Sequence, residues 1–72
     1  MTLDRAQVGT SYEILKINLP LQVEKRLEAL GMTLGSKIAV LSNKNRGTLI
    51  VKVRGSRFAI GRGISQNIDV RG

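Results

Sequence analysis

The sequence contains no cysteine and no histidine, and its only aromatic residues are Tyr12 and Phe58. Without an imidazole or a thiol, the chain lacks the side chains from which ordinary catalytic triads, thiol nucleophiles and imidazole bases are built. The same two absences remove the ligands that zinc and similar transition metals prefer, and leave carboxylates as the main alternative. We therefore predict that the protein is not an enzyme, has no catalytic residue, needs no cofactor and has no metal site of its own.

Long apolar runs are also missing. No stretch approaches the roughly 20 apolar residues that a membrane-spanning helix needs, and the first residues lack the basic-then-apolar order of a signal peptide. With 72 residues and no cysteine, the chain has the size of one domain that no disulfide stabilises. We expect a single domain over residues 1–72 that is located in the cytoplasm.

Acidic residues are few, and two of them share a predicted helix face. Glu28 lies four positions after Glu24, which is a spacing that can bring two carboxylates near one cation. Lys25 and Arg26 lie beside them. The pattern is more typical of a solvated helix surface than of a metal site.

Basic residues are concentrated in the second half of the chain, where the net charge of +7 arises. Such a surface favours an anionic partner, which is a nucleic acid, an acidic protein or anionic lipid. The alternative is a charged surface that only keeps a small protein soluble and monomeric. No acidic residue lies between Glu28 and Asp69, whereas this segment contains Lys37, Lys44, Arg46, Lys52, Arg54, Arg57 and Arg62.

Apolar periodicity predicts five short strands and one helix. Pro20 suits the first turn of the helix, and Val23, Leu27 and Leu30 form one apolar stripe along it. The pair Gly55-Ser56 predicts a two-residue hairpin turn of type II′. The predicted strands cover residues 12–17, 37–41, 48–54, 57–60 and 68–70, and residues 64–67 are expected to form one helical turn.

These elements together predict a mainly β fold, a small SH3-like barrel of about five strands with the helix after the first strand and plugging one end. Closure of the barrel is expected to remove exposed sheet edges. Leu49, Val51 and Val53 are expected to face inward, with Phe58 and Ile60 across the hairpin.

The junction between the helix and the second strand carries the most specific pattern. Gly31 stands where a helix ends in a left-handed residue, Met32 follows where a side chain can fold back on the last turn, and Gly35 turns the chain again. This order resembles the ferrous iron transport protein A (FeoA) family, in which a leucine-glycine-hydrophobic-X-proline-glycine run leads into a small barrel. Leu34 stands where the family usually has proline. The family's valine-X-glycine-X-arginine hairpin is matched by residues 53–57.

The resemblance implies an accessory protein of ferrous iron uptake that binds the cytosolic part of an FeoB-type transporter without carrying iron. It also implies a cytoplasmic location, peripheral at the inner membrane face through the partner and with weak contact to anionic lipid. Transition metal binding is a label of the family that this chain's residue types do not support. We predict a contact surface made of junction apolar residues and basic residues: Leu21, Met32, Leu34, Lys44, Arg46, Arg57 and Arg62.

Other functions stay open at this point. The main alternative is a small basic barrel that binds nucleic acid, although such barrels usually stack bases on exposed aromatic rings, and this chain has two aromatic residues. A barrel from a metal-dependent repressor is a further reading, for which 72 residues leave no room for a DNA-binding domain. Exposed leucines at the junction would also suit self-association.

Overall fold

The computed structural model describes residues 1–44 and 47–72. It confirms a mainly β protein with a helix after the first strand. A short 3₁₀ turn at Leu3–Arg5 comes before the first strand. The elements that follow are β1 (Ser11–Ile17), α1 (Leu21–Ala29), β2 (Lys37–Lys44), β3 (Thr48–Val53), β4 (Ser56–Ile60), α2 (Arg62–Ser65) and β5 (Ile68–Arg71).

The five strands form one antiparallel sheet in the order β4-β3-β2-β1-β5. The register shifts at Leu15 in β1 and at Leu41 in β2. Bulges of this kind bend a strand and increase its twist, so the sheet curls around its apolar face. The bulges also leave both leucines exposed.

The two edges of the sheet differ. The outer edge of β5 is covered by the first residues of the chain, because Thr2 bridges to Asp69 and the Val70 N–H donates to the Met1 carbonyl at 2.8 Å. Within the described residues, β4 pairs with β3 alone. The expected complete closure is therefore wrong for this edge. α2 follows β4 directly and leads the chain to β5, which pairs with β1 instead.

The core lies on the concave side of the sheet and is built from alternate strand positions. Leu49, Val51 and Val53 of β3 are buried, which confirms their predicted direction. Ile60 is buried beside them, and Phe58 is half-buried against the same cluster. α1 covers one end of this core with Leu27 and the partly buried Val23.

The β3–β4 turn differs from its prediction. The turn residues are Arg54 and Gly55, with φ of 50° and 83°, and Val53 pairs with Ser56. Positive φ at both positions defines a type I′ turn, whose twist matches that of the flanking strands. The register of β3 with β4 thus places the turn one residue earlier than the predicted II′ turn. β2 is also three residues longer than expected, and α2 begins two residues earlier.

α1 ends in a Schellman motif, as predicted. The Gly31 N–H donates to the Glu28 carbonyl and the Met32 N–H to the Leu27 carbonyl, each at 2.9 Å, while Gly31 has a φ of +96°. The second bond returns Met32 to the core beside Leu27, where its side chain is 0% exposed. Met32 therefore packs inside and is removed from the predicted contact surface.

Gly31 is required for both conformation and space. Its φ lies in the left-handed region, and a Cβ there would lie 3.2 Å from Cδ of Arg54 and 3.3 Å from Cγ1 of Val53. We expect Gly31→Ala to destabilise the protein by about 1–3 kcal/mol, measured by chemical denaturation. Gly35→Ala is the matched control: φ is +86° there and nothing lies within 4 Å of the added Cβ, so only conformational strain remains. Equal losses in the two variants would contradict the role of close packing at Gly31.

Candidate partner-binding surface

A rigid turn over residues 33–36 connects the helix cap to β2. The Ser36 N–H donates to the Thr33 carbonyl at 3.0 Å. The Ser36 Oγ accepts from the Thr33 N–H at 3.1 Å and donates to the Thr33 carbonyl at 2.6 Å. The φ of Gly35 is +86°, whereas the φ of Leu34 is not positive. This combination is typical of a type II turn with Leu34 at its second position and Gly35 at its third.

The same turn is bonded to β1. The Gly35 N–H donates to the Ile14 carbonyl at 2.7 Å, and the Ile14 N–H donates to the Ser36 carbonyl at 3.0 Å. These bonds hold the turn beside the middle of β1, while the Leu34 side chain stays 65% exposed. An exposed leucine on a backbone fixed at both ends is preorganised for a contact, since little conformational entropy remains to be lost.

Leu34 forms one side of a groove of about 270 Å³ between the turn and α1. Its other lining residues are Ile17, Thr33, Glu24 and Glu28. Leu21 lies on the same helix face, three residues before Glu24 and seven before Glu28, and is 63% exposed. The groove thus combines one exposed leucine, Leu34, with two carboxylates, and Leu21 lies on the same face of α1 without lining the groove.

The carboxylates are the part of this site that sequence reasoning missed. Glu24 and Glu28 lie on the solvated side of α1, as expected, and both also line the groove, which the sequence did not predict. Their spacing on one helix face was visible, but only the return of the chain at Thr33 and Leu34 turns that face into a groove. Across residues 1–44 and 47–72, no three side chains of the metal-ligating types form a cluster.

The basic candidates lie elsewhere. Arg57 is on β4, directly opposite Lys52 of β3, while Lys44 ends β2 and Arg62 begins α2. All four are exposed. Arg46 lies outside the described residues. The predicted surface is therefore distributed over a groove at α1 and several basic positions on the sheet and α2.

The second position of a type II turn favours proline, and Leu34 occupies it. The Leu34 N–H makes no backbone hydrogen bond among the described residues. We therefore expect Leu34→Pro to stabilise the protein by about 0.4–1 kcal/mol, because the unfolded chain loses freedom. Thermal unfolding measures this change. A lower melting temperature would contradict the assigned turn type, and Leu34→Ala, which changes the side chain without restricting the backbone, is the control.

Comparison with known proteins supports the order of elements described above. Over 65 residues the chain is 37% identical to the Fe(2+) transport protein A of Methanocaldococcus jannaschii, which covers 90% of this chain and 78% of the relative. The solution structure of FeoA from Chlorobium tepidum superposes with a TM-score of 0.91 at 26% identity, over 99% of this chain and 69% of that one.

A further structure shares the fold. FeoA of Stenotrophomonas maltophilia, solved in complex with zinc and described as a prokaryotic SH3 domain protein, has a TM-score of 0.81 at 24% identity, over 97% of this chain and 88% of that one. This likeness confirms the SH3-like architecture. The FeoA domain family itself matches residues 1–72. A match along the whole chain, together with the curated relative, shows that this chain belongs to the FeoA domain family.

Proposed function

We propose that this protein is an accessory factor of ferrous iron uptake that binds the cytosolic domain of an FeoB-type transporter. The observation that carries the proposal is the preorganised groove, in which Leu34 is exposed on a turn bonded to β1. Leu21 is also exposed, on the face of α1 that carries the groove carboxylates. Apolar side chains held rigidly at the surface are typical of protein contact sites. Family membership supports the link to iron uptake, and the description of the Stenotrophomonas maltophilia protein proposes that it acts as a ferrous iron transport activating factor.

The role is that of a binding partner rather than of an iron carrier or an enzyme. The groove offers Glu24 and Glu28 but no third ligating side chain among the described residues, and the sequence contains neither histidine nor cysteine. Two carboxylates on one helix face hold a divalent transition metal weakly compared with imidazole or thiolate sites.

The proposed place of action is the cytoplasmic face of the membrane, where the transporter's cytosolic domain is found. Neither helix in the described part of the chain has the length and apolarity to cross a bilayer. The exposed Lys and Arg side chains add weak attraction to anionic headgroups, about 1 kcal/mol for each residue near the surface.

The positions of the two aromatic residues support nucleic acid binding less well than they support binding of a protein partner. Tyr12 is buried, and its hydroxyl accepts the Gln7 N–H at 2.9 Å. Phe58 packs against the core. Neither ring is therefore fully exposed for base stacking, which is the usual source of affinity in small barrels that bind single strands.

Leu34→Asp tests the groove. We expect it to weaken binding to the purified cytosolic domain of the transporter by about tenfold or more, since a charge replaces an apolar contact. Isothermal titration calorimetry measures the change. Val8→Asp is the matched control, because Val8 is 54% exposed and does not line the groove. Equal affinities for Leu34→Asp and the unmodified protein would contradict the proposal.

Iron titration tests the absence of a carrier role. We expect calorimetry with Fe²⁺ under anaerobic conditions to show no tight stoichiometric uptake by the purified protein. Any weak heat should fall in Glu24→Gln, because Glu24 is one of the two groove carboxylates. Tight uptake of one Fe²⁺ per chain would overturn this part of the proposal.

A further inference from the structure

β4 presents an open sheet edge. It lies at one end of the strand order and pairs only with β3 among the described residues. The opposite edge is covered by Met1 and Thr2. An open edge offers backbone N–H and C=O groups to which another extended chain can bond.

The register shows which groups are offered. The type I′ turn closes on the pair Val53 and Ser56, which is hydrogen-bonded in a two-residue hairpin. Hydrogen-bonded and non-hydrogen-bonded pairs then alternate along an antiparallel ladder. Phe58 and Ile60 consequently bond to β3, while Arg57 and Ala59 direct their N–H and C=O groups to the open edge.

The face of the sheet beside this edge is strongly basic. Arg57 is the direct partner of Lys52 in a non-hydrogen-bonded pair, where side chains of neighbouring strands come closest and like charges destabilise the sheet. No carboxylate forms a salt bridge with either residue in the described structure, where the single ion pair joins Arg71 to Glu13. The hairpin thus combines an unpaired backbone edge with an uncompensated positive charge.

From this combination we infer that β4 binds an extended acidic segment of a partner protein, which adds to the sheet as a sixth strand. Backbone groups of Arg57 and Ala59 supply the hydrogen bonds, and carboxylates of the segment lie beside Arg57, with Lys52 one strand further into the sheet. Side chains on the opposite face of the added strand lie on the same side of the sheet as Phe58, which is half-buried and packs against the core. The matching segment alternates acidic and apolar residues, because side chains of a strand alternate between faces.

The positive charge of the hairpin favours an acidic peptide at this edge over a second copy of the chain, and the open backbone groups favour it over a nucleic acid. A second copy of the chain has the same net charge of +7 and would place another basic hairpin against the first, which like charges disfavour. A nucleic acid supplies negative charge but no peptide backbone to continue the ladder. Only an acidic peptide satisfies both the edge groups and the charge.

The test uses a synthetic peptide of alternating Glu and Val and needs no transporter. We expect the peptide to slow hydrogen exchange of the Arg57 and Ala59 amides in the ¹⁵N-labelled protein, while the exchange of the Phe58 and Ile60 amides, already bonded to β3, changes little. A peptide of alternating Lys and Val is the charge control and is expected not to bind. Affinity for the acidic peptide is expected to fall as salt is raised.

Two variants separate the contribution of the backbone hydrogen bond to peptide binding from the contribution of the positive charge. Ala59→Pro removes an edge-facing N–H without removing a bond to β3, which is the position where an edge strand accepts proline, and is expected to weaken binding about tenfold. Ala59→Ser keeps the N–H and is its control. Arg57→Glu is expected to weaken binding at low salt and to reduce the salt dependence.

Several results would overturn the inference. They are equal binding of the Lys peptide, protection that spares Arg57 and Ala59, or unchanged binding by Ala59→Pro. Self-association without peptide binding would instead assign the edge to a second copy. If Ala59→Pro does not fold, hydrogen exchange in the unmodified protein and the peptide affinity of Arg57→Glu still test the inference. Leu34→Asp is expected to keep peptide binding, so a failure at this edge is distinct from a failure of the proposed groove function.

Discussion

The cap at the end of α1 is the constraint on which the remaining structure depends. Gly31 takes a left-handed conformation that sends the chain back along the helix, and the bond from Met32 to Leu27 brings the next side chain into the core. The aliphatic part of Arg54 lies over Gly31, so the same residue also sets how closely the β3–β4 hairpin approaches the helix. Helix, hairpin and core thus meet at one glycine.

The groove follows from that cap through a short series of bonds. The turn after Met32 is closed by Ser36 and fixed to β1 at Ile14, so Leu34 has a defined position although its side chain is in solvent. A partner that binds there meets a surface that is already ordered. The groove and the open β4 edge differ in chemistry: one is apolar with two carboxylates, whereas the other is basic with free backbone groups.

Much of the fold was predictable because its signals are local. Alternation in β3 identified Leu49, Val51 and Val53 as inward-facing, and the spacing of Gly31 and Met32 identified the cap. The turn at Arg54 was predicted one residue too late, because Gly55 is compatible with two hairpin types and only the pairing of Val53 with Ser56 decides between them. The roles of Glu24 and Glu28 in the groove depend on contacts between separate elements.

By itself the sequence determined which segments are strands and where the helix ends, because alternation and backbone conformation are properties of short stretches. It also determined that the chain lacks histidine and cysteine, the usual side chains for transition metal binding and for nucleophilic or acid–base catalysis. Only the tertiary structure decided that the sheet keeps an open edge at β4, that Lys52 lies opposite Arg57, and that Leu34 completes a groove with the α1 carboxylates. These features arise from pairing and packing between separate elements of the chain, which no local pattern specifies.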